Sequence, residues 1–172
     1  EVGMLSSKGI LHKLVISLSD GKKLGEIEDL YLDPDLREVV GLYLGSEGLI
    51  KRKDKFLPRA AVQLTGIDAW LVADSGSVTT TDKIPEISTL TLIENLRGRE
   101  VQTTGGTKLG VIDEVLLDAD LLVLGFGLGK VFIQGPLAEK KFIVRASVSD
   151  LGGPETPMIA DLSLAEAGAT QT

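Results

Sequence analysis

Two long stretches of this chain follow one pattern, and that repeat restricts the possible folds more than any other feature. The stretch KKLGEIEDLYLDPDLREVVGLYLG (22–45) is matched, with one residue lost, by TKLGVIDEVLLDADLLVLGFGLG (107–129). Further along, KFLPRAAV (55–62) is matched by KFIVRASV (141–148). Because the matches keep their order through most of each half, the sequence predicts two versions of one structural unit.

The repeat also divides the chain into four parts. We expect a first unit over 1–74, a linker over 75–91, a second unit over 92–161 and a tail over 162–172. The linker is rich in Ser, Thr and Gly, which is typical of loops. The tail opens with LSLAEA, whose composition is that of a short C-terminal helix.

Short apolar runs separated by turn residues predict a mainly β fold. In the first copy Ile27 is out of phase with Leu30 and Leu32, so a regular strand would place them on opposite faces. The second copy has the same slip. A β-bulge near Asp29, and another near Glu114, would return these residues to one inward face. Strands of this length with frequent turns predict a small barrel or sandwich in each half.

Composition excludes several classes of site and partner. The chain has no cysteine, so disulfides, thiolate metal ligands and cysteine nucleophiles are ruled out. A net charge of −7 disfavours broad binding to DNA or to other nucleic acid. Aromatic residues make up 4%, and we expect Trp70, Tyr31 and Tyr43 to pack in or beside the core, which leaves no base-stacking platform. No run reaches the ~20 apolar residues of a membrane span, so we expect no transmembrane segment.

In their order, the motifs of the first copy resemble the PRC-barrel family. That family has a glycine-marked opening, an acidic-apolar strand that ends in Asp, a return strand that contains glycine, and a late Pro step. The residues on this pattern are Gly21, Leu24, Gly25, Asp33, Gly41, Leu57, Pro58 and Val62. The second copy departs from it at Val144, which replaces the proline. The resemblance implies two tandem PRC-type β-barrels joined by a linker.

The resemblance also implies a non-catalytic function. The same barrel forms the cytoplasmic part of the H subunit of purple-bacterial photosynthetic reaction centres, and half of the ribosome maturation factor RimM. The first relation implies a cytoplasmic docking or scaffold module that binds protein partners, peripheral to the inner membrane. The second leaves a ribosome- or RNA-binding protein as the alternative.

The acidic residues Glu26, Glu28 and Asp29 raise the question of a metal or catalytic site. Glu26 is matched by Val111 in the second copy, and the other two are matched by acids of the opposite length. A metal site or an acid/base pair needs carboxylates at a defined reach. The exchange of lengths therefore favours solvated framework positions over weak divalent binding. We expect no metal, cofactor or catalytic residue.

Two other features, the run GFGLGK and His12, lack the pattern of a binding or catalytic site. The run GFGLGK (125–130) fails the phosphate-loop spacing, because Val131 follows the lysine and no helical pattern comes next. Its alternating glycines instead predict a strand face on which another backbone packs closely. His12 is the only histidine, which excludes a histidine metal cluster and favours an exposed or capping role.

One basic concentration stands out as a candidate contact surface. It consists of Lys51, Arg52, Lys53, Lys55 and Arg59. A solvated loop is the plain interpretation, since charge runs usually face water. The functional alternative is a contact with an acidic protein surface, with lipid headgroups or with RNA.

Overall fold

The computed structural model describes residues 4–170, which form two compact units, each assembled from more than one stretch of the chain. We call them the N-unit and the C-unit. The stretches are 9–34 and 38–92 for the N-unit, and 4–8, 35–37 and 93–170 for the C-unit.

Strands are the commonest element among the described residues, which confirms the mainly β part of the predicted fold class. In chain order the strands are β1 (Leu5–Ser6), β2 (Leu14–Ser17), β3 (Lys23–Glu26), β4 (Asp29–Leu32), β5 (Val39–Glu47), β6 (Lys53–Pro58), β7 (Val62–Thr65), β8 (Ala69–Val72), β9 (Thr79–Thr80), β10 (Thr91–Leu92), β11 (Glu100–Gln102), β12 (Lys108–Leu117), β13 (Val123–Val131), β14 (Phe142–Val144), β15 (Val148–Asp150) and β16 (Met158–Ala160). The α-helices are α1 (Ser7–Ile10), α2 (Pro136–Lys140) and α3 (Leu162–Thr170).

These strands form three sheets. The N-unit holds a five-stranded sheet in the order β10-β4-β5-β6-β9 and a four-stranded sheet in the order β3-β2-β8-β7. The C-unit holds one sheet in the order β14-β13-β12-β11-β16-β15, with β1 paired to β12. Within the described residues each sheet is open, so the closed barrel that the resemblance implies is not seen.

The pairing pattern repeats with the sequence. In the N-unit β2 pairs antiparallel with β3 and parallel with β8, while β4, β5 and β6 form an antiparallel meander. In the C-unit β11 pairs antiparallel with β12 and parallel with β16, while β12, β13 and β14 form the meander. The long strand β12 therefore corresponds to β3 and β4 together.

The predicted bulge explains why one long strand corresponds to two short ones. In β12 the register with β13 shifts between Ile112 and Glu114, where the sequence places the bulge. In the N-unit the strand is interrupted between Glu26 and Asp29. Both devices turn the out-of-phase residue inward, so that Ile27 and Ile112 are each at most 1% exposed.

Short segments at the ends of the repeats extend the sheets. Leu5–Ser6 precedes the first repeat but pairs with β12 of the C-unit, so the C-unit takes in residues that the predicted boundary of 1–74 assigns to the first unit. The segment 75–91, whose composition predicts a linker, contributes Thr79–Thr80 to the N-unit sheet beside β6. Thr91–Leu92 follows and pairs with β4. Loop-like composition therefore conceals two edge strands here.

Aliphatic residues fill most of both cores, and each core also holds aromatic residues, with Phe126 and Phe142 buried in the C-unit. Trp70 is 1% exposed and lies on β8. Tyr31 packs 5.1 Å from Phe56 and 6.4 Å from Tyr43 between ring centroids, the latter pair edge to face. Burial, followed by nearby charges, raises the pKa of Tyr31 to about 12. The three aromatics that the sequence assigns to packing do pack.

The C-terminal helix predicted from LSLAEA is present as α3. The Asp161 side chain caps it by accepting the Leu164 backbone N–H at 2.9 Å. Ala165 and Ala169 are fully buried, and Gly168 lies against Val144 of β14. Small residues on this face let the helix pack close to the sheet. The last two residues of the predicted tail lie outside the described part of the chain.

Candidate interaction surface

The basic run of the sequence lies in the loop 48–52, which joins β5 to β6 and which we call the β5–β6 loop. All five of its residues are exposed. Gly48 has φ of +101°, and a Cβ there would lie 2.5 Å from the Lys51 carbonyl oxygen, so this turn needs glycine. The Arg52 guanidinium donates to the carbonyl oxygens of Gly48 and Ser46, each at 3.4 Å. Internal hydrogen bonds therefore hold the shape of the loop.

Hydroxyl and carboxylate groups brace the loop at its base. The Tyr43 hydroxyl lies 3.1 Å from Ser46 Oγ, which donates to an Asp54 carboxylate oxygen at 2.5 Å. Ser46 on β5 faces Asp54 on β6 in the strand register. The loop thus rises from a well-connected pair of strands.

Three of the five predicted contact residues come together at this loop. Lys51, Arg52 and Lys53 follow one another on its exposed side. Lys53 Nζ pairs with Asp82 at 3.5 Å. Among residues 4–170, no carboxylate lies within ion-pair distance of Lys51 or Arg52. Two cations of the loop are therefore not neutralised within the described structure.

The other two predicted contact residues lie elsewhere. Lys55 is half-buried on β6, with Nζ 3.5 Å from the Leu24 carbonyl oxygen. Arg59 lies past the end of β6 and donates to the Val62 carbonyl oxygen at 3.4 Å. A strand advances about 3.3 Å per residue, so Arg59 is about 20 Å from Lys53 along the strand. The basic residues are one group of three and two separate positions.

Sequence reasoning missed the two residues at the tip of this loop. Leu49 is 100% exposed and Ile50 is 96% exposed, directly before the cations. Aliphatic residues this fully exposed are uncommon when they are adjacent, and they mark interaction sites more often than single exposed ones do. The signal in the sequence was the pair itself, which follows Gly48 and breaks the alternation of β5.

The three acidic residues of the N-unit lie in different surroundings. The Glu26 carboxylate pairs with Lys23 at 3.3 Å, on the surface. Glu28 is exposed, whereas Asp29 is buried and accepts the Leu30 backbone N–H at 2.7 Å. Glu26 and Glu28 therefore reach solvent, as the framework interpretation predicts. That prediction is wrong for Asp29, which can be buried because its carboxylate accepts a backbone N–H of its own strand.

In the C-unit the matching acids hold the N-terminal segment. Asp113 pairs with Lys8 and, at 3.4 Å, with Arg97. The hydrogen bond from Lys8, with further help from Arg97, lowers the pKa of Asp113. Glu114 accepts a hydrogen bond from the Ser6 hydroxyl. These carboxylates fasten one stretch of backbone to another, which is a structural task that their sequence pattern alone did not reveal.

Ser7 completes the attachment of this segment. Its side chain is buried, and its Oγ accepts the Val115 backbone N–H at 3.0 Å. The preceding residues, Leu5–Ser6, add a short antiparallel ladder to Leu116 and Leu117. A buried backbone donor of β12 therefore depends on a serine from the start of the described chain.

The aspartates that end the acidic strands have the predicted turn role. The Asp33 carboxylate accepts the Glu38 backbone N–H at 2.9 Å. The Asp118 carboxylate accepts the backbone N–H groups of Asp120 and Leu122, both at 2.9 Å. Each aspartate thus closes the turn that follows its own strand.

The glycines of GFGLGK lie where other groups approach the strand. A Cβ at Gly125 would collide with the Phe142 ring and the Ile143 carbonyl oxygen. A Cβ at Gly127 would lie 2.7 Å from the Glu114 side chain. The absence of side chains therefore serves packing within the C-unit sheet, in line with the interpretation made from the sequence.

His12 lies on a turn and is exposed, as the sequence predicts. Its φ is +73°, and its side chain is 77% exposed, with Nδ1 3.8 Å from a Glu26 oxygen. Within residues 4–170, no three His, Cys, Asp or Glu side chains come close enough to share a metal ion.

Comparison with known proteins finds a similarity over part of the chain. The family described as PRC-barrel domain matches residues 90–153, which is most of the second repeat. No curated protein matches the sequence. Among the described helices the longest is α3, with nine residues, and none is long and apolar enough to cross a membrane.

Proposed function

We propose that the chain is a non-catalytic docking module made of two PRC-type units. The observation that carries this proposal is the PRC-barrel match at 90–153, together with the strand pairing that the N-unit shares with the matched region. PRC-barrel domains often serve protein interaction. The carboxylates act in turns, ion pairs and segment attachment, and this supports a module without catalysis.

The most specific form of the proposal is a subunit at the cytoplasmic face of a membrane complex. Such a subunit would stand to its complex as the H subunit stands to a photosynthetic reaction centre. The N-unit would present its β5–β6 loop to the partner, while the two open sheets of that unit supply a rigid base. The chain would then be cytoplasmic and peripheral to the inner membrane.

A pull-down from the native cell, with and without detergent, tests this proposal. The tagged full chain should recover a defined set of membrane proteins, with pigments if the complex is photosynthetic. Recovery that survives mild detergent indicates a protein contact. A chain that brings down no membrane protein in either condition contradicts the proposal.

An RNA- or ribosome-binding function is the second candidate, and it rests on Lys51, Arg52 and Lys53. In that case affinity for ribosomal subunits should fall steeply with salt, because each phosphate contact releases counterions. Replacing the three residues by alanine should weaken binding and flatten its salt dependence. Indifference to this triple substitution rejects the candidate.

A further inference from the structure

We propose that the β5–β6 loop inserts Leu49 and Ile50 into the surface of an anionic phospholipid bilayer. The inference deepens the proposed docking function and rests on it, because it names a membrane surface as a direct partner of the same loop. The two can fail separately, since pure lipid vesicles test the loop and the native pull-down tests the protein partner.

Two aliphatic side chains project from the tip of the loop into solvent. Leu49 and Ile50 are 100% and 96% exposed at the tip of a five-residue loop. Nothing in the described N-unit covers them. Transfer of such side chains from water to an apolar medium is favourable in proportion to their exposed area, so the tip gains most where both enter hydrocarbon.

A run of three cations follows the aliphatic pair directly. Lys51 and Arg52 have no carboxylate partner among the described residues, and Lys53 has one, at 3.5 Å. When the aliphatic pair enters the interface, cations one to three residues away reach the headgroup layer. Anionic lipids attract such cations, whereas the net charge of −7 opposes adsorption of the chain as a whole.

A bilayer suits this tip better than RNA or a protein does. The loop contains no aromatic residue on which a base could stack, and its tip is aliphatic. A protein partner would need a cavity shaped for a narrow projecting turn, whereas a bilayer accepts any apolar projection. The Gly48 turn and the two Arg52 hydrogen bonds, each at 3.4 Å, restrict the loop before it binds, which reduces the conformational entropy lost on insertion.

Vesicle co-flotation with the full chain is the direct test. We expect binding to vesicles of phosphatidylcholine mixed with phosphatidylglycerol, and at least tenfold weaker binding to phosphatidylcholine alone. The double variant Leu49→Ser/Ile50→Ser should bind the mixed vesicles at least tenfold more weakly than wild type, because the aliphatic area is lost. Lys51→Ser, which leaves the Arg52 hydrogen bonds in place, should also weaken binding at low salt.

Ile67 provides a matched control in the same unit. It is 87% exposed in the turn between β7 and β8, but no basic run follows it in the sequence, and the cation at this turn, Lys13, donates to the Gly66 carbonyl oxygen at 3.4 Å. Ile67→Ser therefore removes a highly exposed aliphatic side chain outside the β5–β6 loop and should leave vesicle binding unchanged. Equal melting temperatures for all variants would show that folding is intact.

A fluorescence measurement separates insertion from surface adsorption. Trp70 is 1% exposed and gives a constant background, so the emission of Leu49→Trp reports on the loop tip. Addition of mixed vesicles should shift that emission to the blue, and lipids brominated on their acyl chains should quench it.

Three outcomes overturn the proposal. The first is no binding of wild type to anionic vesicles at low salt. The second is binding that Leu49→Ser/Ile50→Ser does not weaken, because adsorption would then be purely electrostatic. The third is retention only on vesicles that carry a membrane protein, which would assign the tip to a protein pocket and leave the docking function intact.

Discussion

The connection between the second and third strands of the meander is exposed in the N-unit and packed in the C-unit. In the N-unit the β5–β6 loop projects, and Leu49 and Ile50 at its tip are exposed. In the C-unit the segment between β13 and β14 forms α2, packs against α3 and buries Leu137 completely. Exposure of the aliphatic pair is therefore not inherited from the repeated framework. This divergence at one loop favours a task for the N-unit loop beyond folding.

We expect the largest effect on stability from truncating Leu137, in the connection of the C-unit. Leu137→Ala should lower the free energy of unfolding by about 2–5 kcal/mol, because it leaves a cavity under α2. Leu49→Ala should change it by less than about 0.5 kcal/mol, because the side chain has no packing to lose. Urea denaturation of both variants measures the contrast, and equal losses would contradict the assigned burial.

A substitution at Gly125 tests whether the glycines of β13 are needed for packing. Gly125→Ala should destabilise the chain by about 1–3 kcal/mol, since the new methyl group would overpack against Phe142 and the backbone of β14. Gly106→Ala is the control, because nothing lies within 4 Å of a Cβ there, although its φ of +90° adds strain. If Gly125→Ala proves the milder of the two, the packing interpretation of GFGLGK is wrong.

The attachment of the N-terminal segment can be tested at one hydroxyl. Ser7→Ala should cost about 1–3 kcal/mol, because the buried Val115 backbone N–H loses its acceptor. Ser149→Ala, at an exposed serine on β15 of the same unit, is the matched control and should be nearly neutral. Thermal unfolding compares the two, and equal melting temperatures would show that Ser7 does not satisfy β12.

The smallest expected effect is at Asp113, and it depends on pH. Its pKa is lowered from 3.8, mainly by the hydrogen bond from Lys8, so the ionised form stabilises the fold above the unfolded-state pKa. That contribution is lost as the pH falls through the lowered folded-state pKa. Asp113→Asn should cost about 0.5–1 kcal/mol at neutral pH, because its side chain is 33% exposed.

The pH dependence of the Asp113→Asn effect tests the direction of this pKa shift. The difference in unfolding free energy between wild type and Asp113→Asn should shrink as the pH is lowered below about 4. A difference that grows on acidification would mean that the carboxyl is favoured in its neutral form, contrary to the ion pairs with Lys8 and Arg97.

The sequence predicted most of the framework because its signals are local and occur twice. The repeat and the slipped phase at Ile27 and Ile112 predicted the β class and the bulge, and the tail predicted α3. The pairing of Leu5–Ser6 with β12 could not be predicted, since two residues carry no alternation and their partner is more than a hundred residues away.

The exposure of individual loop side chains could not be predicted from the sequence either. Aliphatic residues such as Leu49 and Ile50 are assigned to a core by default, and only coordinates separate them from Leu137, which is buried in the matching connection. The basic run was visible in the sequence. Its division into Lys51, Arg52 and Lys53 at the loop, with Lys55 and Arg59 apart, required the register of β6.

Shortening the β5–β6 loop is the most direct test of whether this loop docks the chain on membranes. Residues 48–52 would be replaced by Asn-Gly, a two-residue turn that suits antiparallel strands, so that the apolar tip and the cations are removed together. The account predicts an unchanged melting temperature and loss of retention on native membranes, while Ile67→Ser retains both. Full retention by the shortened chain would contradict the assignment of docking to this loop.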